Sequence, residues 1–315
     1  MIGKDLHVAK TFLEEGKTVA IPTETVYGLA ANALNPEAVL SIFQIKNRPH
    51  FDPLIIHTHA ISEFEKYVSS IPKPLLSLVE KFSPGPITLL LPKKNIIPDI
   101  VTSGLEKVAI RIPNHPLSLQ LLRSIDFPLA APSANPFGYV SPTTAEHVNK
   151  QLGDKIPYIL DGGACDIGLE STILGMEGDD IVVYRLGGLS IEAIEEVVGK
   201  VTVQLNQSSN PAAPGMLKSH YAPRIPLIIT SIQEYIQTHP QQKIGVISFT
   251  HDYTSEHVNC FRLSADANLN EAAQNLFTAL RSFDDTKVEI IVADNLPDSF
   301  LGRAVNDRLK RAAAH

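Results

Sequence analysis

The sequence predicts an α/β protein: a twisted mixed sheet with helices packed on it, followed by a small parallel α/β domain. Three observations lead there. In residues 1–202 short apolar strands alternate with capped helices, yet long prolyl loops separate many of the strands, unlike a clean doubly wound sheet. In residues 203–226, VQLNQSSNPAAPGMLKSHYAPRIP, four prolines and Ser-Ser-Asn erase the periodicity and mark a linker. Residues 227–315 then alternate strand and helix again in short order.

The elements follow from local signals. A helix over residues 5–15 stops at Gly16, and the strand TVAIP follows. NPEAVLSIFQIKNR reads as a helix capped by Asn35, with Pro36 in its first turn. PLIIHTH is a short apolar strand. ISEFEKYVS and PKPLLSLVEKF are helical by spacing. PGPITLLLPKK is a turn then a strand, VAIRIP a strand, and HPLSLQLLRSI a helix. FPLAAPSA is a strand running into a polar turn, and TTAEHVNKQLG a helix with a threonine cap. IPYILDGG, STILGM and DIVVYRLGG are strands, and SIEAIEEVVG is a helix capped by Ser190. Past the linker, PLIIT, KIGVISF, CFRLS and VEIIVAD are strands. SIQEYIQTHP, NLNEAAQNLFTALRSF and FLGRAVNDRLKRAA are helices.

The 315 residues suffice for two domains, and 44% hydrophobic with 19% charged residues is a globular composition. No apolar run reaches the roughly 20 residues of a membrane span. The opening MIGKDLHVAKTFLEEGK reads as an amphipathic helix, not a secretory leader. Cys165 and Cys260 lie far apart and suggest neither a disulfide framework nor a zinc cluster. A cytoplasmic protein without membrane contact is expected, and a monomer. The net charge of −7, most of it in the first 205 residues, argues against binding along a phosphate backbone except through a local patch.

Several segments carry chemistry. Thr23, Glu24 and Thr25 stand where a strand ends, able to bind a polar small molecule or to close a β-turn. Lys46 and Arg48 come at the end of a helix, the wrong end for anion binding by the dipole. They either complement that dipole or bind with their side chains. Pro49 and Pro53 stiffen the loop beyond, and His57 follows an apolar strand. Arg111, inside an apolar strand, is either paired or substrate-facing, and spacing shows no partner. Ser133, Asn135 and Ser141 share a loop in which Gly138 permits close backbone approach. Ser171 and Thr172 open a strand, and Arg185 precedes a double glycine, a weak phosphate-loop cue.

There is no GxGxxG, Walker lysine pattern, GxSxG or HExxH. The carboxylates of Glu24, Asp52 and Glu170 are unpaired by spacing. Cations and hydroxyls without a nucleophile predict chemistry by positioning and charge neutralisation, the logic of attack on a phosphate.

Taken in order, PTETVYGLA, KNRPHFDPL, SPGPITLLL, AIRIPNHP, APSANPFG, LDGG, LESTI and YRLGG resemble the threonylcarbamoyl-AMP synthase family, built on the YrdC-like domain. AAPGMLKSHYAPRIP and the last helix resemble that family's longer form, with a linker and a Rossmann-like C-terminal domain. The resemblance implies a YrdC-like domain at 1–202, a linker or lid at 203–226 and a Rossmann-like domain at 227–315. It implies that L-threonine and bicarbonate form an N-carboxylate that attacks the α-phosphorus of ATP, releasing pyrophosphate. A partner transferase would then modify adenosine in tRNA, so contact with tRNA is expected to be indirect.

By the same resemblance, Thr25, His57, Arg111 and Ser171 are threonine-side contacts. Lys46, Arg48, Ser133, Asn135, Ser141 and Arg185 lie on the ATP side, with Lys46, Arg48 and Arg111 doing the positioning. Tyr221 matches a linker tyrosine that reaches over the nucleotide. Mg²⁺ would offset the triphosphate charge, carried mainly by the phosphates themselves. At one position the chain departs from the family. The loop after KNRP often has Asn before PL, and Asp52 stands there. A carboxylate beside triphosphate oxygens repels them unless it binds Mg²⁺ or faces away, which sets Asp52 apart among the ATP-side residues.

Two other readings compete. A non-catalytic RNA-binding module is disfavoured by the acidic first domain. A carbamoyl-adenylate former acting on carbamoyl phosphate would carry acylphosphatase and zinc-finger segments, which this chain lacks.

Overall fold

The computed structural model describes residues 1–205 and 221–314. These residues divide into two compact units. The first holds Met1–Phe137, Ser141–Asp166 and the described chain from Glu170 to Leu205. The second holds Gly138–Val140, Ile167–Leu169 and the described chain from Tyr221 onward. Of the linker read from the sequence, residues 206–220 lie outside the described residues, Met216 and His220 among them.

The first unit is built on a mixed sheet. Its strands are β1 (Ile2–Gly3), β2 (Val19–Ile21), β3 (Gly28–Asn32), β4 (Ile55–His57), β5 (Ile87–Pro92), β6 (Lys107–Arg111), β7 (Leu129–Ala130), β8 (Tyr158–Leu160), β9 (Thr172–Glu177), β10 (Asp180–Arg185) and β11 (Thr202–Val203). They lie in the order β1-β8-β2-β3-β7-β4-β6-β5-β9-β10-β11. The β1/β8, β2/β8, β4/β6, β5/β9 and β10/β11 pairs are parallel, and the other five are antiparallel.

Helices form where the sequence caps them. Asp5 Oδ1 accepts the His7 N–H at 2.8 Å and starts Leu6–Glu14. Asn35 Oδ1 accepts from the Glu37 and Ala38 amides and starts Pro36–Lys46. Thr144 caps Ala145–Leu152 and Ser190 caps Ile191–Val198 in the same way. Each such cap contributes about 1 kcal/mol. Helix Leu6–Glu14 lays Ala9 and Leu13 against Val19, Ile21, Leu121, Leu122 and Leu160, all fully or almost fully buried. Truncating a leucine in such a cluster to alanine costs about 2–5 kcal/mol. A second cluster joins Ile55, Leu90, Ala109, Ile173, Val182 and Tyr184.

The strand directions matter for function. His57 and Arg111 are register partners at the ends of parallel β4 and β6. β5 runs antiparallel to β6, so its start lies beside the end of β6. Ile87 at that start pairs with Thr172, the first residue of parallel β9. Arg185, last in antiparallel β10, pairs with Ile173. His57, Arg111, Thr172 and Arg185 therefore sit along one edge of five neighbouring strands.

The second unit carries a four-stranded sheet of β12 (Leu227–Ile229), β13 (Ile244–Ser248), β14 (Val258–Arg262) and β15 (Ile290–Ala293). The order is β12-β15-β13-β14 and every pairing is parallel. Helices Ile232–Thr238, Leu269–Ser282 and Leu301–Ala312 complete it. Ile232, Ile244, Val246, Val258 and Val292 form its apolar core. The last helix buries charge as well: Asp307 takes Arg308 at 2.6 Å and Arg311 at 2.9 Å. No helix among the described residues is long and apolar enough to cross a membrane.

Candidate active site

The turn between β2 and β3 is ordered by its hydroxyls. Thr23 Oγ1 donates to the Val26 carbonyl at 2.7 Å and accepts the Thr25 and Val26 amides. Its single proton being used, it accepts from the Thr25 hydroxyl at 2.8 Å. Thr25 Oγ1 in turn accepts from Arg111 Nη1 at 2.9 Å. Arg111 Nε donates to the Gly85 carbonyl at 3.1 Å, and Nη2 stands 2.7 Å from Glu24 Oε1. The β2–β3 turn is thereby joined to the sheet edge where His57 lies beside Arg111. His57 is buried, and burial together with the Arg111 charge pushes its pKa down to about 3, so the ring is neutral at physiological pH.

A second knot lies further along the same edge. Arg185 Nε donates to the Ser171 carbonyl at 3.0 Å and Nη2 to the Ser171 hydroxyl at 3.1 Å. That hydroxyl is 2.7 Å from Thr88 Oγ1. Ser141 donates to Glu170 Oε1 at 2.6 Å. The double glycine after Arg185 serves this packing. A Cβ on Gly187 would stand 2.3 Å from the Glu170 carbonyl, and the Gly188 amide donates to the same oxygen at 2.8 Å. The double glycine thus packs against the GLEST segment.

The third group comes from helix Pro36–Lys46 and the loop behind it. Lys46, the last helical residue, is buried and donates to the carbonyls of Ser133 and Asn135, each at 2.6 Å. Ser133 takes part through its backbone, while Asn135 Nδ2 donates to the Pro136 carbonyl at 2.9 Å. Asn47, left-handed at φ 52°, turns the chain so that Arg48 folds over its own loop. Arg48 donates to the Asp52 and Pro53 carbonyls at 3.0 and 2.8 Å and pairs with Asp52 Oδ2 at 2.9 Å. Burial, and then the Arg48 charge, hold the Lys46 ammonium well below the usual lysine range; Asp52 and Glu170 oppose that only in part. Lys46, Arg48, Asp52 and Glu170 thus share one electrostatic neighbourhood.

The structure therefore gathers Thr25, His57 and Arg111 in one knot, Ser171, Arg185 and Ser141 in a second, and Lys46, Arg48, Asp52, Ser133 and Asn135 in a third. Tyr221 lies in the second unit, 1% exposed at φ 70°. Its ring stacks on Phe277 at 5.5 Å, under the Arg308 guanidinium at 4.9 Å.

The carboxylates that spacing left unpaired have partners after all: Glu24 with Arg111, Asp52 with Arg48 and Glu170 with Ser141. Thr88 was missed; its signal was a hydroxyl inside the otherwise apolar ITLLL. Burial, then the nearby Glu24 charge, push the Cys165 thiol up, which removes it as a nucleophile. Among the described residues there is no group of three or more His, Cys, Asp or Glu able to hold a metal ion.

Known families cover both parts of the chain. Residues 11–187 match the Sua5/YciO/YrdC family, described as telomere recombination. Residues 189–314 match the family described as threonylcarbamoyl-AMP synthase, C-terminal domain. The chain is 43% identical to the threonylcarbamoyl-AMP synthase of Bacillus subtilis, over 97% of its own length and 92% of the relative's. It is 41% identical to that of Pyrococcus abyssi, over 98% and 94%. The crystal structure of P. abyssi Sua5 complexed with L-threonine superposes with a TM-score of 0.93 at 39% identity, covering 99% of this chain and 97% of that one.

Proposed function

The chain belongs to the threonylcarbamoyl-AMP synthase family, and on that premise we propose that it joins L-threonine, bicarbonate and ATP into L-threonylcarbamoyladenylate and pyrophosphate. It is an enzyme of the nucleotidyltransferase class. The observation that carries the substrate reading is the joining of Thr25, His57 and Arg111 at one sheet edge. A relative of the same fold is solved with L-threonine bound.

The chemistry follows from what the residues can and cannot do. The threonine nitrogen and bicarbonate give an N-carboxylate and water. A carboxylate oxygen then bonds to the α-phosphorus, and the bond to the β-phosphate bridging oxygen breaks. Negative charge grows on the leaving pyrophosphate, and Lys46, Arg48 and Arg185 are the cations for it. Each already rests on backbone carbonyls, so little reorganisation remains when charge develops. Ser133, Asn135 and Ser141 complete the nucleotide side, Ser171 the threonine side.

Mg²⁺ fits the protein poorly as a resident ion. Asp52 faces Arg48, Glu24 faces Arg111, and Glu170 accepts from Ser141. The metal belongs to this account as a companion of the ATP phosphates, and no step is assigned to it. A downstream transferase would carry the product to tRNA, in the cytoplasm where ATP and tRNA meet.

The test is pyrophosphate release from MgATP. Release that needs both L-threonine and bicarbonate supports the reading. Release indifferent to threonine points to another acceptor on this scaffold, and no release from folded protein overturns the reading.

A further inference from the structure

Glu24 has no role in the account so far, and its surroundings call for one. It is 4% exposed, yet neither carboxylate oxygen has a hydrogen-bond partner among the described residues. Its Oε1 reaches Arg111 Nη2 at 2.7 Å, but not at a hydrogen-bonding angle, and that Nη2 has no hydrogen-bond partner either. His57 Nδ1, on the register neighbour of Arg111, is a fourth such atom. Buried polar atoms in native proteins are nearly always bonded, so four together need an explanation.

Loose local packing is not that explanation. The other polar atoms of the same turn are bonded: Thr23 to Val26 and Thr25, Thr25 to Arg111, Arg111 Nε and Nη1 to Gly85 and Thr25. Unused capacity at this edge lies on Glu24 Oε1 and Oε2, Arg111 Nη2 and His57 Nδ1; His115 Nδ1, whose ring feels the Glu24 charge, has no hydrogen-bond partner among the described residues either.

The chemistry of these atoms is specific. A carboxylate only accepts, a guanidinium only donates, and a neutral imidazole can do either. An ammonium, a carboxylate and a hydroxyl are the complement, which is the set that a β-hydroxy amino-acid zwitterion carries. A phosphate would be repelled by Glu24, and an adenine, which carries no charge, would leave the Arg111 guanidinium without a carboxylate. The arrangement also explains why Glu24 and Arg111 touch without bonding well. Each stands where a substrate charge can be inserted on it, while Thr25 and Gly85 keep the guanidinium aimed.

We propose that Glu24 receives the α-ammonium group of the amino-acid substrate, opposite Arg111, which receives its α-carboxylate. This rests on the threonine reading above and deepens it. It makes Glu24 a binding residue that fixes the nitrogen to be carboxylated, and it accounts for selection of an α-amino acid over a hydroxy acid.

The test compares two ligands by calorimetry on the full chain: L-threonine and its deamino counterpart, 2,3-dihydroxybutyrate of matching configuration. In the unmodified protein, threonine should bind at least about 30-fold more tightly, as expected for a hydrogen bond between two charged groups. Glu24→Gln should lower threonine affinity by a similar factor and change that of the deamino ligand less than about threefold.

Equal losses for both ligands would mean that Glu24 only holds Arg111, and would overturn the proposal. So would unchanged threonine affinity in the variant. If Glu24→Gln does not fold, the unmodified protein still decides: equal affinity for the two ligands overturns the proposal. Uptake of neither ligand removes the threonine reading and this assignment with it.

Discussion

Arg48 and Asp52 close a loop on themselves: the guanidinium pairs with the Asp52 carboxylate at 2.9 Å and with the Asp52 carbonyl at 3.0 Å. The sequence posed Asp52 as a charge that would repel a triphosphate unless it bound Mg²⁺ or faced away. In the structure it faces Arg48 and is fully buried. Removing one partner of such a pair leaves a buried charge uncompensated. Asp52→Asn should therefore cost about 3–5 kcal/mol of stability. Urea denaturation checks it. A stable variant with tighter ATP binding would show that repulsion, not support, is the role of Asp52.

Arg185 meets Ser171 through both its carbonyl and its hydroxyl. Lysine offers one point charge where arginine offers a fork. Arg185→Lys should keep the fold and lower kcat/KM for ATP about 100-fold, equivalent to about 2.7 kcal/mol of transition-state stabilisation. Steady-state pyrophosphate release checks it, with circular dichroism as the control for folding.

His57 predicts a pH dependence. Its pKa in the folded protein is about 3, against 6.5 when unperturbed. Between those values the unfolded chain binds the extra proton, so stability rises with pH in this window and is lost as pH falls below 6.5. By pH 5 the loss from this group is about 2 kcal/mol relative to pH 7.5. Denaturation midpoints at the two pH values should differ less in His57→Asn than in the parent. An identical difference in both would contradict the burial of a neutral ring.

Gly187 has no room for a side chain, since a Cβ would meet the Glu170 carbonyl and the Ser171 backbone. Gly187→Ala should cost about 1–3 kcal/mol by overpacking. It should also weaken ATP binding by displacing Ser171, against which Arg185 rests. Thermal unfolding and nucleotide titration report the two effects separately.

Much of the fold was legible. Asn35, Ser190 and the threonine cap at 144 start helices because cap chemistry is local. In the C-terminal sheet helices link β12 to β13 and β14 to β15, as the sequence implied, while β13 and β14 are parallel with no helix between them. The strands Ile2–Gly3 and Gly28–Asn32 were not legible. GLAAN has no β-branched residue, and its pairing is set by tertiary approach: a Cβ on Gly28 would stand 3.2 Å from the Ala131 Cβ.

The site residues could be named segment by segment, but their bonding could not. Glu24 reaches Arg111 across most of a hundred positions, which no local spacing encodes. Arg48 and Asp52 stand four apart, yet in a prolyl loop, where helical spacing rules carry no information.

The central claim is that this sheet edge joins threonine, bicarbonate and the adenylyl group in one product. The most direct measurement is mass spectrometry of a reaction with L-threonine, MgATP and ¹³C-bicarbonate. The account predicts an adenylate that carries both the threonine mass and the ¹³C label, formed in step with pyrophosphate. Pyrophosphate with an unlabelled adenylate, or label in a product without AMP, would contradict it.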